Sequence, residues 1–222
     1  MGNRLLAVGF LMALLALTGC SGQPDSRSAQ TETVREPTCS YPSDGQAARP
    51  VKPPKTEGVE STGEVKFRVT TNSGDIVITM DRAKTPCTVN SFASLVEQGF
   101  YAKTECHRLS DGGFNLLQCG DPTAMGTGGP GYTIPDEVTG QEKYPSGAVA
   151  MANRGSPNSG GSQFFLIYGD LKLPPQYTVF GQMDAAGVEV IERIAADGHD
   201  NSNSAGGGKP NKPVKIESIT KL

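Results

Sequence analysis

Two short apolar alternations joined by a turn constrain this chain most. Val65, Phe67 and Val69 alternate with polar residues, Thr71-Asn72-Ser73-Gly74 follows, and Ile76, Ile78 and Met80 alternate again. A period of two with one apolar face is a β-hairpin, and that face needs cover. Further runs of strand length follow at Glu105–Leu109, Leu116–Cys119, Gly147–Met151, Gln163–Tyr168 and Thr178–Met183. Val214, Ile216, Ile219 and Leu222 suggest a closing strand, irregular where the spacing becomes three. Thr85-Pro86 opens a helix as N-cap and first residue, with Val89, Phe92 and Val96 on one stripe, Leu95 beside them, and Gly99 as the stop. Asp184 caps a second helix through Ala196, with Val188, Ile191 and Ala195 on one side. With 28 Gly and 16 Pro, turns are frequent. About eight antiparallel strands and two separate helices predict a mainly β fold, a closed barrel with helices over its open ends.

The amino terminus has the pattern of a targeting segment. Arg4 precedes thirteen nearly all apolar residues, Leu5 to Leu17, too few to span a bilayer. Leu17-Thr18-Gly19-Cys20 resembles the bacterial lipoprotein processing box, which implies cleavage after residue 19 and a lipid on Cys20. The expected location is therefore the extracytoplasmic face of a bacterial cell membrane. Residues 20–62 lack apolar periodicity and are rich in Ser, Pro, Thr and Glu, the composition of a tether. As a coil of about 42 residues it would reach roughly 35–40 Å. Cys39-Ser40-Tyr41-Pro42 is an alternative docking point on the domain, which is expected to run over 63–222.

Net charge is −3, both signs are dispersed, and Trp is absent, so neither the basic patch nor the stacking platform of a nucleic-acid binder is present. An exported chain permits disulfides. Cys39, Cys87, Cys106 and Cys119 allow three pairings. Cys106 and Cys119 flank a hairpin and are candidate cross-strand neighbours; the sequence ranks no pairing. The chain has no C-x-x-C, and its two histidines, His107 and His199, are far apart, so no metal site is expected. His199 falls in a Gly- and Asn-rich stretch, Asp197 to Pro213, expected to be a flexible, solvated loop.

The chemistry concentrates around residues 147–168. Eleven residues of turn composition, Ala152 to Ser162, lie between two apolar runs. Gln163 and Phe165 are two apart and share a face. An amide, an aromatic ring and a length of unpaired backbone suit an extended peptide. Gly126-Thr127-Gly128-Gly129-Pro130-Gly131 matches a dinucleotide fingerprint literally, but Pro122 precedes it and Pro130 and Pro135 block a following helix. Cys106 and His107 are strand neighbours on opposite faces, which excludes a nucleophile–base pair.

His107-Arg108-Leu109, Leu117-Gln118-Cys119-Gly120-Asp121, Gly126-Thr127-Gly128-Gly129, Met151-Ala152-Asn153, Gly161-Ser162-Gln163-Phe164-Phe165 and Val179-Phe180-Gly181 occur in this order. Together they resemble the cyclophilin family of peptidyl-prolyl cis–trans isomerases, over Glu64 to Leu222. The resemblance implies an eight-stranded cyclophilin-like barrel, an isomerase that needs no cofactor, and proline-containing segments of exported polypeptides as substrates. It implies Arg108 as the catalytic arginine, Gln118 as the residue orienting it, and Gln163 as the groove glutamine. Gly126, Ala152 and Asn153 match the peptide-binding edge, and Phe165 and Leu173 match walls of the proline pocket. The stretch between Arg108 and Gln118 is two residues longer than is common, which leaves Phe114 and Leu116 both as candidates for that pocket. Tyr177 stands where a pocket histidine is usual and Lys172 where a tryptophan contacts cyclosporin, so weakened cyclosporin binding is expected. Arg154 replaces a small residue and predicts a bulkier, more positive rim. A monomer is expected. The alternative is a catalytically weak, chaperone-like lipoprotein of the same fold that binds proline peptides.

Overall fold

Val65, Phe67 and Val69 face Met80, Ile78 and Ile76 across the expected hairpin, and all six are buried. The computed structural model describes residues 37–222; the leader, Cys20 and the start of the expected tether lie outside the described residues. The hairpin is β1 (Glu64–Thr71) and β2 (Gly74–Asp81), followed by α1 (Pro86–Glu97). Then come β3 (Thr104–Cys106), β4 (Arg108–Ser110), β5 (Leu116–Cys119), β6 (Ala148–Met151), β7 (Phe164–Ile167) and β8 (Val179–Met183). α2 (Ala185–Ala196) and β9 (Val214–Lys221) complete the chain. The sheet order is β3-β9-β1-β2-β8-β6-β7-β5-β4, and every pairing is antiparallel.

Among the described residues, nine strands replace the expected eight because one strand is interrupted. Residues 104–106 pair with β9 and residues 108–110 with β5. His107 lies between them and donates its N–H to the Gln118 carbonyl at 3.1 Å. The two edges of the sheet are therefore one stretch of chain, and the barrel closes through it. Opposite Thr70–Thr71 the register of β9 jumps from Ser218 to Ile216, a bulge at the spacing of three seen in the sequence.

Both helices form as expected, but their capping and facing differ in detail. Thr85 makes no side-chain cap on α1. The Glu137 carboxylate does so instead, accepting the N–H groups of Cys87 (2.9 Å) and Thr88 (2.8 Å). A charged acceptor serves a helix N-terminus better than a hydroxyl because it also meets the positive end of the dipole. Asp184 caps α2 as expected, accepting from the Gly187 N–H at 2.8 Å. The buried face of α2 is Gly187, Val190, Ile191 and Ile194, whereas Val188 and Ala195 are only partly buried. The close approach at Gly187, where a Cβ would lie 2.8 Å from Ile76, sets that rotation. On α1, Val89, Phe92 and Leu95 are buried. The Phe92 ring lies 5.2–5.7 Å from those of Phe67, Tyr101, Phe164 and Phe180 and forms the centre of the core.

The expectation of a flexible tether reaching residue 62 is corrected. Residues 37–62 pack on the barrel: Cys39, Tyr41 and Val59 are buried, and Cys39 is bonded to Cys87 of α1. Asp44 and Ala48 donate their N–H groups to Gly131 and Gly129, and Thr133 donates to Pro42. Arg49 donates to the carbonyls of Gly99, Phe100 and Ala102 at 2.8–2.9 Å. The segment lacks periodicity because it pairs with a glycine-rich loop rather than a regular strand. The second disulfide joins Cys106 and Cys119 on β3 and β5. Cys39–Cys87 closes a separation of 48 residues. Replacing both of these cysteines by alanine is expected to lower the unfolding free energy by about 2–4 kcal/mol in a urea titration. An unchanged midpoint and slope would show that the bond does not hold the segment.

Candidate functional site

Cross-strand register builds the site on the outside of the barrel. Arg108 pairs with Gln118, Gln118 with Phe165, Phe165 with Ala150, and Ala150 with Val179. Residues directly opposite share a face, so these five form one row across β4, β5, β7, β6 and β8. Their neighbours Leu109, Leu117, Leu166 and Val149 form the matching row in the interior. Beside the outer row, Leu116, Ala152, Phe165 and Leu171 belong to a second buried apolar cluster, with Leu173 and Tyr177 partly buried against it. The Tyr177 ring meets Phe165 edge-on at 5.7 Å between centroids.

The two pocket candidates lie differently with respect to this cluster. Leu116 is buried within it, whereas Phe114 is 47% exposed and outside it. Phe114 closes a turn that has Gly112 and Gly113 at positive φ, donating its N–H to the Asp111 carbonyl. Lys172 is exposed.

A chain of amides crosses the row. Arg108 Nη1 donates to Gln118 Oε1 at 3.4 Å, Gln118 Nε2 to Gln163 Oε1 at 2.8 Å, and Gln163 Nε2 to the Gly128 carbonyl at 2.9 Å. Arg108 also donates from Nε to the Gly206 carbonyl (2.9 Å) and from Nη2 to that of Ala205 (3.0 Å). The stretch 197–213, expected to be flexible, thus packs against the arginine. The His199 side chain is correspondingly covered, at 7% exposure, with Nε2 3.3 Å from Asp111 Oδ1 and Nδ1 accepting the Asn201 N–H. Burial lowers the Arg108 pKa and nearby Tyr177 opposes that shift. A guanidinium starts so high that it stays charged. Burial also depresses His107, against the pull of Asp121 and with the help of Arg108.

The peptide-facing edge is backbone. Ala152 N–H donates to the Gln163 carbonyl. The Asn153 side chain is spent on Gln176 O and Gly155 N–H. Among the described residues, no hydrogen bond engages the N–H or carbonyl of Asn153 itself. A cleft of about 280 Å³ lies alongside, between Gln163, the 126–132 loop and Arg154, and Asp44 and Gln46 of the N-terminal segment contribute to its wall. Arg154 enlarges the rim as expected, but it is paired with Asp44, so its charge is countered. No local pattern marks this wall, because residues 44 and 154 are linked only through the fold.

Asp121, fully buried, holds the glycine-rich loop in place. Its carboxylate accepts from Gly128 N–H (2.9 Å), Thr123 N–H (2.7 Å) and Thr123 Oγ1 (2.8 Å). Gly128 fits because a Cβ there would fall 2.0 Å from Asp121 Oδ1. Gly126 lies in the same loop at φ +80° and lines the cleft beside Gln118.

An antiparallel barrel with an apolar cluster, a held cation and a free backbone edge on its outer face defines a class of peptide-binding barrels. The family model described as cyclophilin type peptidyl-prolyl cis-trans isomerase/CLD matches residues 66–221, and the chain belongs to that family. It is 44% identical to the probable peptidyl-prolyl cis-trans isomerase B of Mycobacterium leprae, over 86% of this chain and 69% of that protein. The similarly named Mycobacterium tuberculosis protein is 43% identical, over 83% of this chain and 63% of its own length. The chain thus spans about two thirds of these mycobacterial relatives. Among solved structures, a cyclophilin-type isomerase of Cryptosporidium parvum superposes with a TM-score of 0.65 at 31% identity, over 72% of this chain and 98% of that one. A second structure of that protein, in the presence of the dipeptide Ala-Pro, gives 0.63.

Burial raises the Asp121 carboxyl, but its three donors outweigh burial and the net pKa is lowered. The resulting stability is present above the unfolded-state value of about 3.9 and is lost as pH falls through the lower folded value. Asp121→Asn is therefore expected to flatten the acid limb of the stability profile, read as urea midpoints between neutral pH and pH 2. An acid limb identical to wild type would exclude Asp121 as a contributor.

Proposed function

We propose that this cyclophilin-type peptidyl-prolyl cis–trans isomerase rotates X–Pro bonds at the outer row of its barrel, with Arg108 as the group that stabilises the twisted amide. The observation that carries this is the row itself: a half-buried cation separated from the Phe165 ring only by Gln118. The X–Pro bond has a rotation barrier of ~18–20 kcal/mol. At about 90° conjugation is lost and the proline nitrogen regains a lone pair. A donor aimed at that nitrogen binds the twisted state better than either planar isomer, which is the condition for acceleration.

The roles then divide by position. Leu116, Phe165, Leu173 and Tyr177 take the proline ring. Asn153 backbone and Gln163 hold the chain on one side of the bond while the other side turns. Gln118 orients Arg108. No proton transfer or covalent bond is needed. A barrier lowered by about 5–7 kcal/mol gives roughly 10⁴–10⁵-fold. Exported polypeptides whose folding waits on proline isomerisation are the proposed clients.

A second reading is a module that binds proline peptides with little turnover. Tyr177 in the pocket and the engagement of Arg108 by two loop carbonyls favour it. NMR exchange between cis and trans peaks of a short X–Pro peptide separates the two. Fast exchange is expected for wild type, and Arg108→Ala is expected to lose about 10²–10³-fold with the fold retained. Wild-type rates in Arg108→Ala would remove Arg108 from the mechanism. Binding shifts without accelerated exchange in wild type would establish the binding module.

The proposed setting is a lipid anchor on Cys20, supported by the Leu17–Cys20 pattern behind an apolar run. Metabolic labelling with a fatty acid is expected to mark the wild-type chain and not Cys20→Ser. Equal labelling of both, or of neither, would exclude that anchor.

A further inference from the structure

We infer that the turn Ala205–Gly208 is a positioning element for Arg108, built by the backbone freedom of Gly206 and Gly207. The inference rests on the reading of Arg108 as the donor to the twisted amide. A guanidinium carries five N–H groups in a planar fork. Here Nε and Nη2, which share one edge of that fork, donate to two consecutive carbonyls, Gly206 and Ala205. Nη1 donates to Gln118. One hydrogen on each terminal nitrogen remains, and that of Nη2 points away from the edge the loop occupies. The loop thus fixes the plane of the guanidinium from behind and leaves donor capacity for the substrate.

The turn reaches Arg108 by an unusually close approach. Gly206 and Gly207 have φ of +95° and +81°, and a Cβ at Gly207 would lie 2.1 Å from the Leu109 carbonyl. Leu109 and Gly208 exchange two hydrogen bonds, of 2.7 and 2.9 Å, one residue from Arg108. The same turn therefore grips the arginine's side chain and its strand. Asp200 closes the base of the loop, accepting the N–H groups of Ser202 (2.9 Å) and Lys209 (2.8 Å).

Such an element changes the orientation of the donor without adding a contact to the peptide. Gly207→Ala in the full chain is expected to slow catalysed exchange by about ten-fold or more, with peptide affinity within about two-fold of wild type. The Arg108 Nε–H resonance is expected to shift and to lose its slow solvent exchange. In an Arg108→Ala background the same substitution is expected to cost nothing further. An unchanged rate, an unmoved resonance, or an equal loss in the Arg108→Ala background would overturn the inference. Asp200→Asn, which leaves both glycines in place, is expected to show the same pattern more weakly, and it decides the matter if Gly207→Ala does not fold. If Arg108→Ala itself retains the wild-type rate, the reading of Arg108 fails and the inference with it. A slow Arg108→Ala beside a fast Gly207→Ala removes the inference alone.

Discussion

The hydrogen bond from His107 N–H to the Gln118 carbonyl holds the interrupted strand across the point where the sheet closes. The seven residues 104–110 serve both edges of the sheet, their first half paired to β9 and their second to β5. A strand shared in this way has little freedom of register. A shift by one residue would break the pairing on both sides and turn Arg108 into the core. The Cys106–Cys119 disulfide fastens the same seam from inside, adjacent to His107 on one strand and to Gln118 on the other. The constraint that closes the barrel is thus the one that places the cation and its amide partner side by side.

Two apolar faces follow from that register. The inner face is filled by the rings around Phe92 and by Leu109, Leu117, Leu166 and Val149. The outer face of β5, β6 and β7 is also apolar, and loops bearing Tyr144, Leu171, Leu173 and Tyr177 cover it. Under this cover Phe165 is 7% exposed, and Leu173 and Tyr177 beside it are only partly buried. A barrel strand with only one apolar side would alternate polar residues outward. Ala148-Val149-Ala150-Met151 and Phe164-Phe165-Leu166-Ile167 are apolar at every position because both of their faces are used.

Elements with a period or a cap were legible in the sequence; contacts between aperiodic segments were not. The β1–β2 hairpin, β5 and the Asp184 cap follow from local chemistry, and the structure reproduces them. The shared face of Gln163 and Phe165 follows from the strand period alone. Glu137 capping α1 joins residues 50 apart, and Arg108 bonding to Gly206 joins residues 98 apart. Neither leaves a mark in either local stretch. Composition misled at residues 37–62 and 197–213 for one reason. Polar sequence rich in Pro or Gly suggests mobility, whereas residues 37–62 bond to the glycine-rich loop and residues 197–213 bond within themselves and to Leu109 of β4. Phe114 and Leu116 were indistinguishable in the sequence because the extra residues could enter on either side of the hairpin turn.

The electrostatics of Arg108 connect this architecture to catalysis. A guanidinium in open water would have to shed and reorient solvent as the amide twists, and that cost would enter the barrier. Arg108 is already partly desolvated, which is why its pKa is lowered. Two carbonyls and the Gln118 oxygen stand in for the lost water. On the proposed mechanism, acceptors already in place set the field at the proline nitrogen before the lone pair forms. A cation held in this way would favour the twisted state over both planar isomers, because only the twisted state presents a lone pair to it.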